Sequence, residues 1–280
     1  MLRVAIPNKG ILSDSAISML KEAGYATRRE PAELHLVDEA NSVEFFYLRP
    51  RDIATYVGSG SLDAGITGLD LLLDSGSQAE EVADLGFGAS TFRFAAQEAS
   101  GFKQPSDLAG KRLATAYPRL IGDYLTNNGI ECEVVSLDGA VESAVRLGVA
   151  DAVADVVSTG NTLRKAGLSV FGPEIMSSTA RLIAAPGKAE NSAKLLRRLR
   201  GVIVAREYVI IDYDCPKSLV AKASKITPGF ESPTISPLAD EDWVAIRALV
   251  KSAETNQVMD ELHDLGARAI LVSAIHAARI

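Results

Sequence analysis

Short apolar strand patterns alternate with short helical patterns over the first two thirds of the chain. That alternation is the strongest constraint on its fold. Strands joined through helices pair in parallel or mixed sheets, and such sheets are covered on both faces. A first set reads as strand Leu2–Pro7, helix Ser13–Ala23 with Ser13 as its cap, and strand Val43–Arg49. It continues with helix Arg51–Val57 entered through Pro50, strand Leu62–Thr67 and helix Leu69–Asp74. A second set begins near Ser90. It runs strand Thr91–Ala96, helix Pro105–Leu108, strand Arg112–Ala116, helix Arg119–Asn127, strand Cys132–Leu137 and helix Val141–Leu147. A buried strand through 150–157 and returning strands Val170–Phe171 and Ala180–Ala184 complete it. Two sets of similar size predict two lobes with a cleft between them. Open α/β sheets bind ligands at the carboxyl ends of their strands.

The last portion has a different order. After a helix over about Asn191–Ala205 come strand Tyr208–Tyr213, helix Lys217–Lys225, strands Thr234–Pro237 and Val244–Val250, helix Gln257–Leu265 and strand Ala269–Val272. This βαββαβ order is the ferredoxin-like unit. The chain has 280 residues, 47% of them hydrophobic, which supports two or three small cores. A net charge of −7 argues against nonspecific nucleic-acid binding. The most basic stretch, Lys194–Arg200, carries Leu195, Leu196 and Leu199 on one helical face and reads as an amphipathic helix. Cys132 and Cys215 are far apart and form no CxxC or metal knuckle, so reduced thiols and a cytoplasmic protein are expected. The opening MLRVAIPNKG enters a strand at once, which predicts no secretory leader, and no apolar run reaches membrane-spanning length. The histidines His35, His263 and His276 are scattered and suggest no metal site.

Ala150–Leu163, ADAVADVVSTGNTL, carries the clearest chemistry. A buried strand enters the turn Ser158-Thr159-Gly160-Asn161-Thr162, and a short helix, Leu163–Ala166, follows. Free backbone N–H groups, a helix dipole and three hydroxyls at one point make a phosphate cradle. The same residues also suit an ordinary helix cap. Asp151 and Asp155 stand four apart, which places both carboxylates on one side of the strand, beside the cradle. The sharper nucleotide motifs, GxxxxGK[ST] and GxGxxG, are absent. Other strand ends carry Lys9, Arg49 with Arg51, Asp70, Tyr117 with Arg119, and Glu142 in Asp138-Gly139-Ala140-Val141-Glu142. Anion donors and isolated acids at the strand ends of both lobes point to a phosphorylated substrate.

In order along the chain, PNKG, FFYLRPRDIATYVGSG, GITGLD, ATAYP, DGAVE and ADVVSTGNTL resemble the long form of ATP phosphoribosyltransferase. The tail DYDCP…PGFESPTISPL…GARAILVSAI resembles the C-terminal regulatory domain of that family. The resemblance implies two periplasmic-binding-protein-like lobes and an ACT-like, ferredoxin-like regulatory domain. It divides the chain into lobe I (1–90 plus about 178–205), lobe II with the PRPP loop (91–177) and a histidine-binding domain (206–280). It implies transfer of the phosphoribosyl group of PRPP to N1 of the adenine of ATP, with release of pyrophosphate. This is the first step of histidine biosynthesis. Mg²⁺ is implied as cofactor, carried mainly by PRPP and pyrophosphate and held by no protein metal site. Histidine and AMP are implied as inhibitors, and dimers and hexamers as assemblies.

Residue by residue, the resemblance puts Asp155, Ser158, Thr159, Gly160, Asn161 and Thr162 on PRPP. Arg49, Asp70 and Tyr117 fall on the nucleotide. Lys9, Arg49, Glu142 and Asp155 become the catalytic set. Asp214, Ser232, Thr234 and Ala269 fall on regulatory histidine. The chain departs from the pattern at Ile11, where many relatives have arginine. A non-enzymatic bilobed small-molecule sensor is the rival reading of the same fold. A sensor would need one ligand and turn over nothing.

Overall fold

The computed structural model describes residues 1–27, 34–157 and 160–279. They form two compact units, Met1–Lys21 with Tyr25–Leu196, and Glu22–Gly24 with Arg197–Ile280.

The first unit holds two mixed sheets. In the first sheet, β1 (Leu2–Pro7) leads to α1 (Ile11–Glu22), β2 (His35–Asp38), β3 (Val43–Leu48), α2 (Pro50–Gly58), β4 (Ala64–Gly68), α3 (Leu69–Ser75) and β5 (Glu80–Asp84). The second contains β6 (Ser90–Ala96), β7 (Arg112–Thr115), α4 (Pro118–Asn127), β8 (Glu133–Ser136), α5 (Ser143–Arg146), β9 (Ala152–Val157), α6 (Asn161–Lys165) and β10 (Ser169–Ser178). The chain then returns to the first sheet as β11 (Ala180–Ala184), giving the orders β2-β3-β1-β4-β11-β5 and β10-β6-β9-β7-β8. β1 pairs in parallel with β3 and β4, and β7 with β8 and β9. The two lobes are joined by the passages 85–89 and Thr179. These are tied to each other, since Leu85 N donates to Ala180 O (2.9 Å) and Ala180 N to Phe87 O (2.8 Å).

Each sheet is covered as the βα alternation requires. Helix α2 buries Ile53, Ala54 and Val57 against Ala5 and Ile183 of the first sheet. Phe92, Phe94, Leu113 and Phe171 pack with Leu120, Ile121 and Leu125 of α4 on one face of the second. Val153, Ala114 and Ala95 pack with Ala144 and Leu163 on the other.

Some local expectations change. Helix α1 begins at Ile11, and Ser13 is buried within its first turn instead of capping it; Ser13 N donates to Gly10 O at 3.0 Å. The helix after the cradle opens at Asn161, two residues early. Asp151 precedes β9 and is committed to Arg112, whose backbone N (2.9 Å) and Nη2 (3.0 Å) donate to it. It therefore does not stand beside Asp155 at the cradle.

The second unit carries α7 (Ala193–Glu207, entered within the first unit), β12 (Tyr208–Pro216), α8 (Val220–Ile226), β13 (Thr234–Pro237), β14 (Trp243–Lys251), α9 (Thr255–Leu265) and β15 (Arg268–Ala274). Its antiparallel order β13-β14-β12-β15 is the ferredoxin-like arrangement. Ile211, Tyr213 and Cys215 alternate into its core against Ala223, Val258 and Leu262.

Candidate functional site

Parallel strands bring their carboxyl ends to one side of a sheet, and both lobes direct that side at one cleft of about 1120 Å³. Lys9 and Gly10 enter it after β1, Arg49 to Asp52 after β3, and Asp70 and Leu71 after β4. From the other lobe come Ala116 to Pro118 after β7, Ser136 to Asp138 at the end of β8, and Val156 in β9. Lys9, Arg49, Asp70 and Tyr117, four residues singled out from sequence, therefore share one lining.

The interior of the cleft is organised by a network around Tyr117. Its ring packs edge-on to Phe92 (5.0 Å) and lies beneath the Arg51 guanidinium (5.0 Å to the ring centre). Burial and the nearby Asp70 carboxylate drive the Tyr117 hydroxyl far above the ordinary phenol range, so it stays protonated. Asp70 is itself buried and held by Ser178, whose Oγ donates to Oδ1 (2.7 Å) and accepts from the Asp70 N–H (3.1 Å). Gly68, just before it, leaves room for this arrangement, because a Cβ there would sit 2.3 Å from Asp70 Oδ1.

Asp155 lies on β9 beside this lining. Burial pushes its carboxyl up from the usual 3.8 to about 6, and the Glu142 and Asp70 carboxylates push the same way. The Val156 N–H (2.7 Å) and the Arg51 cation oppose them without prevailing. Among the described residues, no group of three or more His, Cys, Asp or Glu converges as a metal cage.

Gly160, Asn161 and Thr162 start α6 and are not part of the cleft lining; Ser158 and Thr159 lie outside the described residues. Gly160 has φ 69°, a conformation glycine adopts without strain. Asn161 Oδ1 accepts from Arg164 Nη2. Residues missed from sequence include Ser178, 108 positions from Asp70, and Asp74, which binds Arg51. No local motif marks either of them, because their roles come from chain crossings.

In the second unit, Ser232 and Thr234 line a smaller pocket of about 520 Å³ with Phe230, Arg247 and Arg279. Asp214 and Ala269 are outside that lining. Asp214 sits opposite Arg268 after a register shift between β12 and β15. Ala269 holds φ 49°, an unusual conformation for a residue with a side chain.

Comparison with known proteins agrees with this architecture. Residues 49–202 match the family described as ATP phosphoribosyltransferase, and residues 205–277 the one described as HisG, C-terminal domain. The ATP phosphoribosyltransferase of Pseudarthrobacter chlorophenolicus is 61% identical over the full length of both chains, and that of Streptomyces avermitilis 56%. Among solved structures, a chain of the ATP phosphoribosyl transferase (HisG:HisZ) complex from Thermotoga maritima aligns at TM-score 0.63 and 29% identity. It covers 72% of this chain and 98% of its own. Tv2483 bound to L-arginine, at 11% identity and TM-score 0.51, covers 71% of this chain and 83% of its own and shares the bilobed fold.

Proposed function

The chain belongs to the ATP phosphoribosyltransferase family, and on that premise we propose that the cleft between its lobes is where the phosphoribosyl group passes from PRPP to N1 of ATP. The enzyme is a pentosyltransferase of the first step of histidine biosynthesis, which sets aside the sensor reading. The observation that carries the site is the convergence of all six parallel-strand ends, with their cations and acids, on one cleft.

Glycosyl transfer from PRPP develops positive charge on the ribose and negative charge on the departing pyrophosphate. Lys9, Arg49 and Arg51 supply cations for the phosphates. Asp70 and Tyr117 hold the purine in line with the reacting carbon, which is catalysis by orientation. Asp155 and Glu142 accept the ribose hydroxyls. The turn Ser158–Thr162 takes the 5-phosphate of PRPP. Mg²⁺ would arrive on PRPP and pyrophosphate, and the neighbouring Asp155 and Glu142 carboxylates are the oxygen groups that would face it. When bound, Mg²⁺ would supply charge neutralisation on the pyrophosphate. No residue is assigned as a base, since N1 of adenine has its own lone pair.

We assign 206–280 to histidine-dependent inhibition through Asp214, Ser232, Thr234 and Ala269. Asp214 meets the ammonium group and the hydroxyls the remaining polar ends. AMP competes in the nucleotide part of the cleft, and the chain assembles as dimers and hexamers. The cytoplasm, where both substrates occur, is the site of action. Pyrophosphate release from purified protein with ATP, PRPP and Mg²⁺ tests the whole reading. Release requiring both substrates and suppressed by histidine is expected. Release insensitive to histidine removes the regulatory assignment, and no release from folded protein removes the cleft assignment.

A further inference from the structure

A helix needs partners for its first N–H groups, and α4 does not supply its own. Its N-cap, Tyr117, makes no side-chain cap bond, and Pro118 at the first position has no N–H. Ile121 N reaches Tyr117 O at 3.1 Å. The two remaining groups, Arg119 N (3.0 Å) and Leu120 N (3.2 Å), both donate to Asp74 Oδ1. Asp74 belongs to α3 of the other lobe, so the cap arrives across the cleft. Its second oxygen accepts from Arg51 Nη1 at 2.9 Å, and the carboxylate is only 7% exposed. Two residues on, Gly76 lies so close to the Arg119 guanidinium that a Cβ would sit 2.0 Å from Nη1.

We propose that Asp74 is an inter-lobe positioning residue. By capping α4 from the opposite lobe it fastens the lobes at this edge, and with its other oxygen it holds the Arg51 guanidinium over Tyr117, facing the cleft. One carboxylate thus couples lobe spacing to the placement of a cation for the phosphates of a substrate. Its kinetic part rests on the cleft assignment above; its structural part does not. Asp74 touches no substrate and acts through Arg51 and α4.

The test combines amide hydrogen exchange on the unliganded full-length protein with a double-mutant cycle. Asp74→Ala is expected to speed exchange at the Arg119 and Leu120 amides at least tenfold. Asp74→Asn, whose amide oxygen still accepts, keeps most of that protection. Asp74→Asn and Arg51→Met each raise the same substrate KM about fivefold or more with a smaller change in kcat. Their combination adds little further, because one acts through the other. Wild-type exchange at both amides in Asp74→Ala, or KM effects that multiply in the double variant, overturn the proposal. Failure of the cleft assignment looks different. Lys9→Met, Arg49→Met and Arg51→Met would all keep wild-type KM values while Asp74→Ala still lost amide protection; the kinetic part would then be overturned and the inter-lobe cap would stand.

Discussion

Asp155, proposed above to face the ribose, is costly to the fold. Its carboxyl titrates near 6 in the folded protein and near 3.8 when exposed, so folding favours the protonated form. Its contribution is therefore best below pH about 4 and is lost as pH rises from there through about 6. Asp155→Asn is expected to raise stability at pH 8 by about 1–3 kcal/mol, with the gain fading as pH falls through about 6 and gone by about pH 4. It should also raise the KM for PRPP. Parallel urea titrations at pH 4 and pH 8 check the first, and initial rates the second. Equal stability of both proteins at pH 8 would contradict the burial argument. Tyr117 and Asp70 make the complementary case. Each type was visible in the sequence as a ring or an acid at a strand end, but the influence of the Asp70 carboxylate on the Tyr117 hydroxyl crosses from one lobe to the other. No spacing rule predicts it.

Secondary structure was legible where one face of the pattern is buried and obscure at the edges. β3 alternates Val43, Phe45 and Tyr47 into the core, and its period of two shows directly. β5, Glu80–Asp84, leaves no apolar period in the sequence because it is a polar edge strand held by Arg181 to Glu81 (2.9 Å) and to Asp84. β2 is a four-residue edge. The sequence shows only Val170–Phe171 of β10, because Gly172-Pro173 interrupts its pattern where the register shifts between Phe171 and Met176. Two glycines separate strain from crowding. Gly160→Ala meets no atom closer than 3.8 Å but must hold φ 69°, so it should cost about 1 kcal/mol, read as a shift in thermal midpoint. Gly68→Ala keeps an ordinary φ of −77° but drives a methyl into Asp70. It should raise the KM for ATP several-fold more than that for PRPP. Equal effects on the two would detach Asp70 from the nucleotide.

Across the whole molecule, catalysis and regulation are assigned to different compact units, so variants should separate them. Asp214→Ala is expected to abolish histidine inhibition of pyrophosphate release while uninhibited turnover changes less than twofold. Full retained sensitivity would remove Asp214 from the histidine site. The ferredoxin-like order was readable from sequence because successive elements there are short and locally patterned. The joining of Ser232 and Thr234 with Arg247 and Arg279 in one pocket was not. By itself the sequence determined the two βα lobes, the βαββαβ tail, the family, and the strand ends that carry Lys9, Arg49, Asp70, Tyr117 and Asp155. Local periodicity and motif order hold that information, because they depend on neighbours along the chain. Only the tertiary structure decided that β11 inserts antiparallel between β4 and β5, that Ser178 holds Asp70, and that Asp74 caps a helix 45 residues away. Those pairings arise when distant segments are packed against the same cleft. Buried polar groups must find partners there whatever their separation in sequence.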